Sequence, residues 1–381
     1  MGHTRHLGAA LVTALATASC AIIANLGDRT LGTPDDGGSG SDATNDGNVN
    51  GQDGDVPTDG GLPGDGATAA DVVTPPFDAP PGCVIDNFPA SLVPAQLYLA
   101  VDVSASMTQA LPAGPTRFAT EAAAVNAFVA DPRSASLFAA MDTHPWTGAA
   151  DAGCEPTPYE SPPVPLGQLG TGTAAAITAY LAPLAPVGSS PWTAMLAGAL
   201  QFTKTAAIAS PARSSALVFI ADSTPTACGT TAADLVAIVQ PYAQGTPAVR
   251  TFFLGITQVA TDVTTYMDPV AAAGGTTKAY ALVPPTQVSM QAALAAVRDE
   301  MACVAKLPAV GGKPVDVAKG LFFLQTGATQ VTTSQVTGAA ACATQDAWYP
   351  GTSPDRIHLC PTTCNRLLGD ATAKAFVAAC R

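Results

Sequence analysis

The chain has 381 residues, enough for two domains, and hydrophobic residues make up 48% of it, which is ample for a large core. Its formal net charge is −13 and no stretch gathers basic residues, so nucleic acid is not an expected partner. The sequence contains no nucleophile elbow, phosphate loop, dinucleotide fingerprint or His-Glu-x-x-His motif, which excludes the commonest classes of hydrolase, nucleotide-binding enzyme and zinc protease. We therefore expect a protein that is not an enzyme.

The first residues have the pattern of an export signal. A short basic start precedes an apolar run over residues 7–18, which is too short to span a bilayer and leads through small residues to Cys20. Residues 15–20, Leu-Ala-Thr-Ala-Ser-Cys, resemble a bacterial lipoprotein cleavage box, with Thr17 where leucine or valine is usual. The resemblance implies a signal peptide over residues 1–19, a lipid on Cys20 and membrane contact only through that anchor in the cell envelope. The alternative is an ordinarily cleaved signal and a secreted protein.

Residues 20–82 are predicted to form a tether. Within them, residues 21–82 contain eleven aspartates and one arginine, so this stretch alone carries a charge of −10. Glycine, proline, serine, threonine and alanine make up most of the rest. Such a segment cannot bury enough apolar surface to offset its conformational entropy. We expect a disordered, acidic linker rich in Gly, Asp and Pro.

Strands and helices alternate through residues 83–304, which predicts βαβ units and a mostly parallel central sheet flanked by helices. Residues 142–170 are Pro-rich and predicted to be irregular. The predicted strands are Leu97–Asp102, Ser136–Met141, Leu217–Ala221, Arg250–Ile256 and Ala279–Val283, and the predicted helices are Arg117–Ala130, Thr173–Leu181, Pro191–Ile208, Thr231–Tyr242, Val263–Ala273 and Gln287–Val304.

Residues 305–381 differ in character from the preceding α/β region. The pattern predicts a hairpin of Gly320–Leu324 with Gln330–Val336, a strand at Arg356–Cys360, a helical turn at Cys364–Leu368 and a strand at Ala375–Ala379. Four cysteines lie here, and Cys303 directly precedes the region. We expect a small, disulfide-rich, β-containing C-terminal subdomain.

The cysteine count supports export. There are nine cysteines, and if Cys20 carries lipid, the remaining eight are enough for four disulfides in an oxidising compartment. The disulfide candidates are Cys83, Cys154, Cys228, Cys303, Cys342, Cys360, Cys364 and Cys380.

Positions along the chain suggest a pairing scheme. Cys154 and Cys228 each follow a predicted sheet strand, on opposite sides of the first strong strand, so we expect them to bond across the top of the sheet. The four cysteines from Cys342 onward are expected to pair among themselves. That leaves Cys83 to pair with Cys303.

The first strong strand ends in polar residues. Asp102, Ser104 and Ser106 alternate along the chain directly after an apolar run. They would place three oxygen ligands in the crevice beyond the carboxyl end of the strand, where open α/β sheets bind ligands. Hard oxygen donors with one carboxylate suit Mg²⁺, Mn²⁺ or Ca²⁺ and not Zn²⁺ or copper. The sequence therefore predicts a divalent-cation site.

This Asp-x-Ser-x-Ser motif resembles the metal-ion-dependent adhesion site of von Willebrand factor A domains. Two later stretches resemble the other motifs of that family, in the family's order. Residues 188–193, Gly-Ser-Ser-Pro-Trp-Thr, resemble its Gly-Gly-Thr-x-Thr loop, and residues 217–226 resemble its strand ending in Thr-Asp-Gly-x-Pro-Thr. The likeness covers residues 92–304 and, with the tether and tail, extends to bacterial cell-surface lipoproteins. It implies that fold and a cation held by Asp102, Ser104, Ser106, Ser190 and Asp222.

The sequence also departs from the family pattern. Ala105 and Ser223 stand where glycine is usual, and each adds a Cβ where the backbone turns tightly. Ser190 replaces a threonine but keeps the hydroxyl, and Thr193 is the alternative ligand if the register differs by a turn. Trp192 either caps the core under the loop or flanks the metal as an exposed aromatic anchor.

The resemblance implies a binding function. With few carboxylates around it, the cation would keep an open coordination position for an acidic residue of a protein partner. A metal-free scaffold of the cell envelope, with contacts made by the disulfide-rich tail, is the alternative. A hydrolase with an unrecognised site in the tail is a third hypothesis. His144 is predicted to be a packed loop residue, with a contact to a partner as the alternative.

Overall fold

In the computed structural model of the chain, the described residues are 85–112, 114–146, 153–257, 259–310, 312–315, 320–351, 353–370 and 372–380. The predicted signal peptide, the lipidation site Cys20, the tether and Cys83 lie outside them. No helix in these ranges combines the length and the apolar character needed to cross a bilayer.

The elements of the described chain are numbered in sequence order. The strands are β1 Ile85–Leu92, β2 Ala95–Asp102, β3 Phe138–His144, β4 Val164–Gln168, β5 Ser214–Ala221, β6 Val249–Gly255, β7 Tyr280–Ala281, β8 Val304–Lys306, β9 Ala309–Val310, β10 Lys313–Pro314, β11 Gly320–Thr326, β12 Thr329–Thr332, β13 Ser334–Gln335, β14 Ala347–Pro350, β15 Arg356–Leu359 and β16 Lys374–Cys380. The helices are α1 Arg117–Ala130, α2 Thr173–Leu181, α3 Trp192–Ala209, α4 Ala232–Gln244, α5 Ala260–Asp262, α6 Asp268–Ala273, α7 Gln287–Ala302 and α8 Pro361–Gly369.

A six-stranded sheet organises the first half of the described chain. Its strand order is β4-β3-β2-β5-β6-β7. All neighbouring pairs are parallel except β3 and β4, which are antiparallel. β2 is buried along its whole length and β5 at every residue after the first, as expected of central strands that are covered on both faces.

Helices cover this sheet on both sides, and the alternation of side chains along β2 divides its core in two. Leu97, Leu99 and Val101 face one cluster, which includes buried residues of α1, α2 and α7. Tyr98 and Ala100 face the other, which includes residues of α3, α4 and α6. The part formed by residues 95–302 is therefore a mixed α/β structure with a mostly parallel sheet.

A second sheet gathers the C-terminal strands. Its order is β12-β11-β16-β1-β8-β15-β14-β13, and β9 pairs with β10 separately. β1 precedes the parallel sheet in sequence, yet it lies between β16 and β8 and is antiparallel to both. The start of the described chain is thus built into the same sheet as its end, and the sequence pattern did not predict this strand.

Three further local differences separate the structure from the sequence pattern. β4 forms within residues 142–170, which we predicted to be irregular, and adds an antiparallel edge to the parallel sheet. A π-helical turn at Val263–Met267 forms the first part of the helix predicted at Val263–Ala273, and only the remainder, α6, is α-helical. The hairpin predicted in the tail is confirmed as β11 with β12, and the predicted helical turn is the longer helix α8.

Three disulfides connect described residues. Cys154 is bonded to Cys228, as predicted, with Cα atoms 5.6 Å apart. Cys342 is bonded to Cys360, within the predicted tail group. Two predictions were wrong, because Cys303 is bonded to Cys364. Cys303 does not pair with Cys83, and the four cysteines from Cys342 onward do not pair only among themselves. Cys303 directly precedes β8, which pairs with β15, and α8 follows β15, so the second sheet draws the end of α7 towards the tail.

Candidate metal site

The predicted ligands Asp102 and Asp222 meet at the carboxyl edge of the parallel sheet. β2 ends at Asp102, and its parallel neighbour β5 ends one residue before Asp222. Asp102 is 0% exposed and Asp222 is 1% exposed. The two carboxyl groups are therefore buried together at the crevice where open α/β sheets bind ligands.

Asp102 connects two of the motifs through backbone amides. Its Oδ1 atom accepts a hydrogen bond from the N–H of Ser104 at 2.8 Å, and Oδ2 accepts one from the N–H of Asp222 at 3.3 Å. Burial raises the pKa of Asp102 above its ordinary value. The neighbouring His144 opposes this rise, and the charge of Asp222 adds to it. Because backbone amides take the place of water as hydrogen-bond donors, they fix the Asp102 carboxyl group in one orientation.

The two serines extend the network to the second aspartate. The hydroxyl of Ser106 donates to Oδ1 of Asp222 at 2.8 Å, and the hydroxyl oxygens of Ser104 and Ser106 are 3.0 Å apart. Since the single proton of Ser106 points to Asp222, Ser104 is the donor in the serine pair. Four of the five predicted ligands thus form one continuous hydrogen-bonded group.

Arg117 is a member of this group that the sequence motifs did not predict. It is the first residue of α1, and its Nη1 atom lies 2.6 Å from Oδ2 of Asp222. The side chain of Arg117 is 17% exposed and that of Asp222 is 0% exposed, so the pair is largely shielded from solvent. Both oxygens of Asp222 accept hydrogen bonds from protein donors. A sequence signal existed, because Arg117 is the first basic residue after the Asp-x-Ser-x-Ser motif.

Glu121 is the second unanticipated member and lies one helical turn after Arg117. Its Oε1 atom accepts a hydrogen bond from the N–H of Asp102 at 3.2 Å. Its Oε2 atom is buried and has no hydrogen-bond partner among the described residues. Burial, and then the charge of Asp102, raise the pKa of Glu121 well above its ordinary value. The sequence did contain a signal for Glu121, because it is a charged residue on the same apolar face of α1 as Ala124, Val125 and Phe128.

The loop that carries Ser190 lies beside the motif. The N–H of Ala105 donates to the carbonyl of Gly188 at 3.0 Å, and the N–H of Ser190 donates to Oγ1 of Thr226 at 2.9 Å. Ser190 is 1% exposed, but in the described part of the chain no hydrogen bond joins its hydroxyl to the other four predicted ligands. The alternative ligand Thr193 pairs instead with Thr230, at 3.3 Å between hydroxyl oxygens.

Two aromatic side chains near the site belong to the core. Trp192 is 0% exposed and packs on Phe219 and Phe253, so it is not an exposed anchor. His144 is also fully buried, with its ring stacked on Phe219 and its Nε2 atom 2.8 Å from the carbonyl of Ile220. Because a carbonyl only accepts, Nε2 carries the proton. Neither ring is available to a partner.

The two positions where the family has glycine do not strain the backbone. Cys228, with φ of 67°, is the one non-glycine residue with positive φ in the described ranges. Ala105 and Ser223 therefore adopt backbone conformations that are open to any residue. Ala105 begins a short 3-10 turn and is exposed, so its methyl group meets solvent.

The donor set fits a hard divalent cation. The connected group offers two carboxylates and the hydroxyls of Ser104 and Ser106, all oxygen ligands of the kind that Mg²⁺, Mn²⁺ and Ca²⁺ prefer, and the buried Ser190 lies in the adjacent loop. The described residues contain no group of three or more His, Cys, Asp and Glu side chains placed to hold a metal. The competing group is the guanidinium of Arg117, which already neutralises Asp222.

Comparisons with known proteins give distant likenesses. No family model matches the sequence, and no curated protein matches it. The pilus adhesin SpaC from Lactobacillus rhamnosus GG matches with a TM-score of 0.43 and 12% identity, over 76% of this chain and 40% of the adhesin. Manganese-loaded TRAP from Plasmodium vivax matches with a TM-score of 0.32 and 17% identity, over 46% and 62%.

Proximal thread matrix protein 1 from the mussel byssus matches with a TM-score of 0.37 and 13% identity. The match covers 56% of this chain and 50% of that protein. This chain therefore spans less than two thirds of each of these three structures. At such identities and TM-scores, the likenesses carry no argument about function.

Proposed function

We propose that the chain is a cell-surface binding module that uses a divalent cation to hold an acidic residue of a protein partner. The observation that supports this proposal is the hydrogen-bonded group of Asp102, Ser104, Ser106 and Asp222 at the carboxyl edge of a mostly parallel sheet. The same residues carry the resemblance to von Willebrand factor A domains. The proposed role involves binding without catalysis.

Each of the predicted ligands would have a separate role in holding the cation. Ser104, Ser106 and Ser190 would offer neutral hydroxyl oxygens, while Asp102 and Asp222 would supply negative charge. When bound, the cation would provide an open coordination position for the carboxylate of a partner. Asp102 would also keep the two motifs in register through its bonds to the amides of Ser104 and Asp222.

Arg117 would regulate access to this site. Its guanidinium and a divalent cation are both attracted to the carboxylate of Asp222, and only one of them can take the position at Oδ2. Loading the site would therefore require Arg117 to leave, which lowers the apparent affinity for the cation. Its side chain starts from the first residue of α1 and is partly exposed, so a route to solvent exists.

A second candidate is a metal-free scaffold of the cell envelope, and the same ion pair favours it. With Arg117 on Oδ2 and Ser106 on Oδ1, Asp222 is neutralised and fully hydrogen-bonded without any ion. In this case the site is a structural network, and contacts with partners are made elsewhere. Both candidates share an exported location, which the three disulfides support because such bonds persist in oxidising compartments. A lipid on Cys20 belongs to this proposal, with secretion as the alternative.

Calorimetric titration of the metal-free protein with Mn²⁺ and Mg²⁺ tests the proposal. We expect saturable binding at one site, loss of binding in Asp102→Ala, and at least tenfold tighter binding in Arg117→Met, equivalent to about 1.4 kcal/mol. Glu160→Gln is the control, because Glu160 is an exposed carboxylate outside the site. A wild-type protein that binds neither ion, with Arg117→Met equally inert, would establish the scaffold instead.

Binding of a protein partner is tested by a separate measurement. Capture of envelope proteins on the immobilised chain should depend on the cation and be reversed by a chelator. Asp102→Ala should capture none of the chelator-sensitive proteins, whereas Glu160→Gln should capture them all. Capture that is indifferent to both chelator and Asp102→Ala would contradict cation-dependent binding.

A further inference from the structure

A cavity of about 750 Å³ opens at the opposite, amino end of the parallel sheet. Its walls come from the first residues of β5 and β6, the last turn of α7, and the β14–β15 pair of the second sheet. Its lining includes Arg213, Arg250, Arg356 and His358, against a single carboxylate, that of Glu300. These residues are far apart in sequence, which is why no basic stretch appears along the chain.

One of the three arginines is neutralised. Arg250 forms an ion pair with Glu300, its Nε atom donates to the carbonyl of Gly275 at 3.3 Å, and its guanidinium lies 4.8 Å above the ring of Phe252. The single carboxylate of the lining, that of Glu300, is therefore already paired with Arg250. The lining offers no second carboxylate to the other two arginines.

Neither of those two arginines forms an ion pair with a carboxylate of the described residues, although the charge of Arg356 contributes to the lowered pKa of the adjacent Asp355. The guanidinium carbon of Arg213 lies 3.5 Å from the ring centroid of Phe138, and its Nη1 atom is 3.5 Å from the amide oxygen of Gln96. The side chain of Arg356 makes no hydrogen bond or ion pair with any described residue. In a chain of net charge −13, two arginines that are outside any ion pair therefore line one cavity.

The cavity also offers an imidazole. The ring of His358 stacks on that of Tyr349, with centroids 5.0 Å apart and planes 7° apart. Burial, and then the positive charge of Arg250, lower the pKa of His358 below its ordinary 6.5. The ring is therefore neutral at pH 7, and an anion nearby would favour its protonated form.

We infer that this cavity binds a small multivalent oxyanion, a phosphate or a polycarboxylate. A guanidinium matches either group with two parallel N–H donors, and two such groups plus an imidazole suit a ligand with more than one negative charge. The cavity and the proposed cation site lie at opposite ends of β5, so the inference is independent of the proposed function.

Calorimetric titration with inorganic phosphate and with tricarballylate, at constant ionic strength and without divalent cations, tests the inference. We expect a dissociation constant in the millimolar range or below for at least one of them, weakened at least tenfold by Arg213→Met and by Arg356→Met. Arg366→Met is the control, because Arg366 lies on α8, pairs with Asp346 and is not part of the cavity. Which anion binds identifies the source, and binding of neither overturns the inference.

A measurement on the wild-type protein guards against variants that fail to fold. NMR titration of the histidine ring signals should show the pKa of His358 rising on saturation with the anion that binds. The ring signals of His144, which is buried at the other end of the sheet, should be unchanged. Anion binding that leaves the pKa of His358 unaltered would place the ligand elsewhere and overturn the inference.

Discussion

The two ends of the parallel sheet carry opposite charge, and the charged side chains differ in how deeply they are buried. At the carboxyl end, Asp102, Asp222 and Glu121 are buried, and Arg117 forms an ion pair with Asp222. At the amino end, three arginines line an open cavity with a single glutamate, and all four side chains are partly exposed. Burial, more than the number of charges, decides how strongly a charged group is coupled to folding. The same substitution should therefore have very different effects at the two ends.

The largest effect is expected for Arg117→Met. Removing the guanidinium leaves Asp222 buried beside Asp102 without its cation, and losing one partner of a buried pair costs about 3–5 kcal/mol. Urea unfolding in a chelator should show this loss. Adding Mn²⁺ should restore part of it in the variant, since the cation replaces the missing charge. An unfolding free energy equal to that of the wild type would mean that the ion pair contributes nothing.

Asp142 is a further buried carboxyl group on the sheet, and a substitution there tests how strongly its ionisation is coupled to folding. It lies on β3, its Oδ1 atom accepts from the N–H of Thr143 at 2.7 Å, and burial raises its pKa from 3.8 to about 7. Hydrogen bonding to the N–H of Thr143 and to the side chain of Tyr98 opposes this rise but does not cancel it. The unfolded chain therefore loses this proton at a lower pH than the folded protein does.

Stability should consequently fall as the pH rises from about 4 to about 7 and then level off. Asp142→Asn, which is neutral at every pH, should remove this part of the pH dependence and stabilise the protein at pH 8 by on the order of 3 kcal/mol. Chemical unfolding of both proteins at pH 5 and pH 8 measures the difference. A variant that loses stability at pH 8 would show that the charged form of Asp142 is the native one.

Cation binding to the carboxyl end should stabilise the folded protein by about 2.7 kcal/mol at a hundredfold excess over the dissociation constant. Asp102→Ala should abolish this increment and leave the fold intact, because the sheet is held by apolar burial. Ser190→Ala should reduce it less, since a hydroxyl contributes less than a carboxylate. Thermal melts with Mn²⁺ against a chelator provide the measurement. Identical wild-type melts in both would favour the metal-free scaffold.

The smallest effect is expected at the amino end. Arg356→Met removes a partly exposed guanidinium that forms no ion pair with a described residue, so the unfolding free energy should change by less than about 0.5 kcal/mol. Urea unfolding in parallel with Arg117→Met completes the comparison. A loss as large as that of Arg117→Met would mean that Arg356 is coupled to folding through a contact that its exposure does not suggest.

Much of the parallel sheet could be predicted because its signals are local. The bounds of α1 and α2 match the predicted helices, since apolar spacing defines both of them. At the start of α1, the side chain of Thr116 also accepts a hydrogen bond from the N–H of Ala119. Two of the three motifs lie at the ends of strands, so parallel pairing of β2 and β5 brings Asp102 and Asp222 together.

What the sequence missed depends on long-range contacts. Arg117 and Glu121 join the site only because α1 packs with one face towards the end of β2. The partner of Cys303 depends on β8 pairing with β15 in the second sheet. The basic cavity is assembled from segments that are widely separated along the chain. No local sequence pattern predicts contacts between segments that are far apart along the chain.

The position of β1 has a mechanical consequence. Only Val93 and Pro94 separate β1 from β2, so a pull on the chain before Ile85, resisted at Asp102, runs along two successive strands. β1 is held on both sides, by β16 and by β8, with hydrogen bonds perpendicular to the strand. Tension along β1 would have to shear these bonds together and could not open them one at a time. A protein tethered at this end and loaded at the carboxyl edge of its parallel sheet would resist force through its second sheet first.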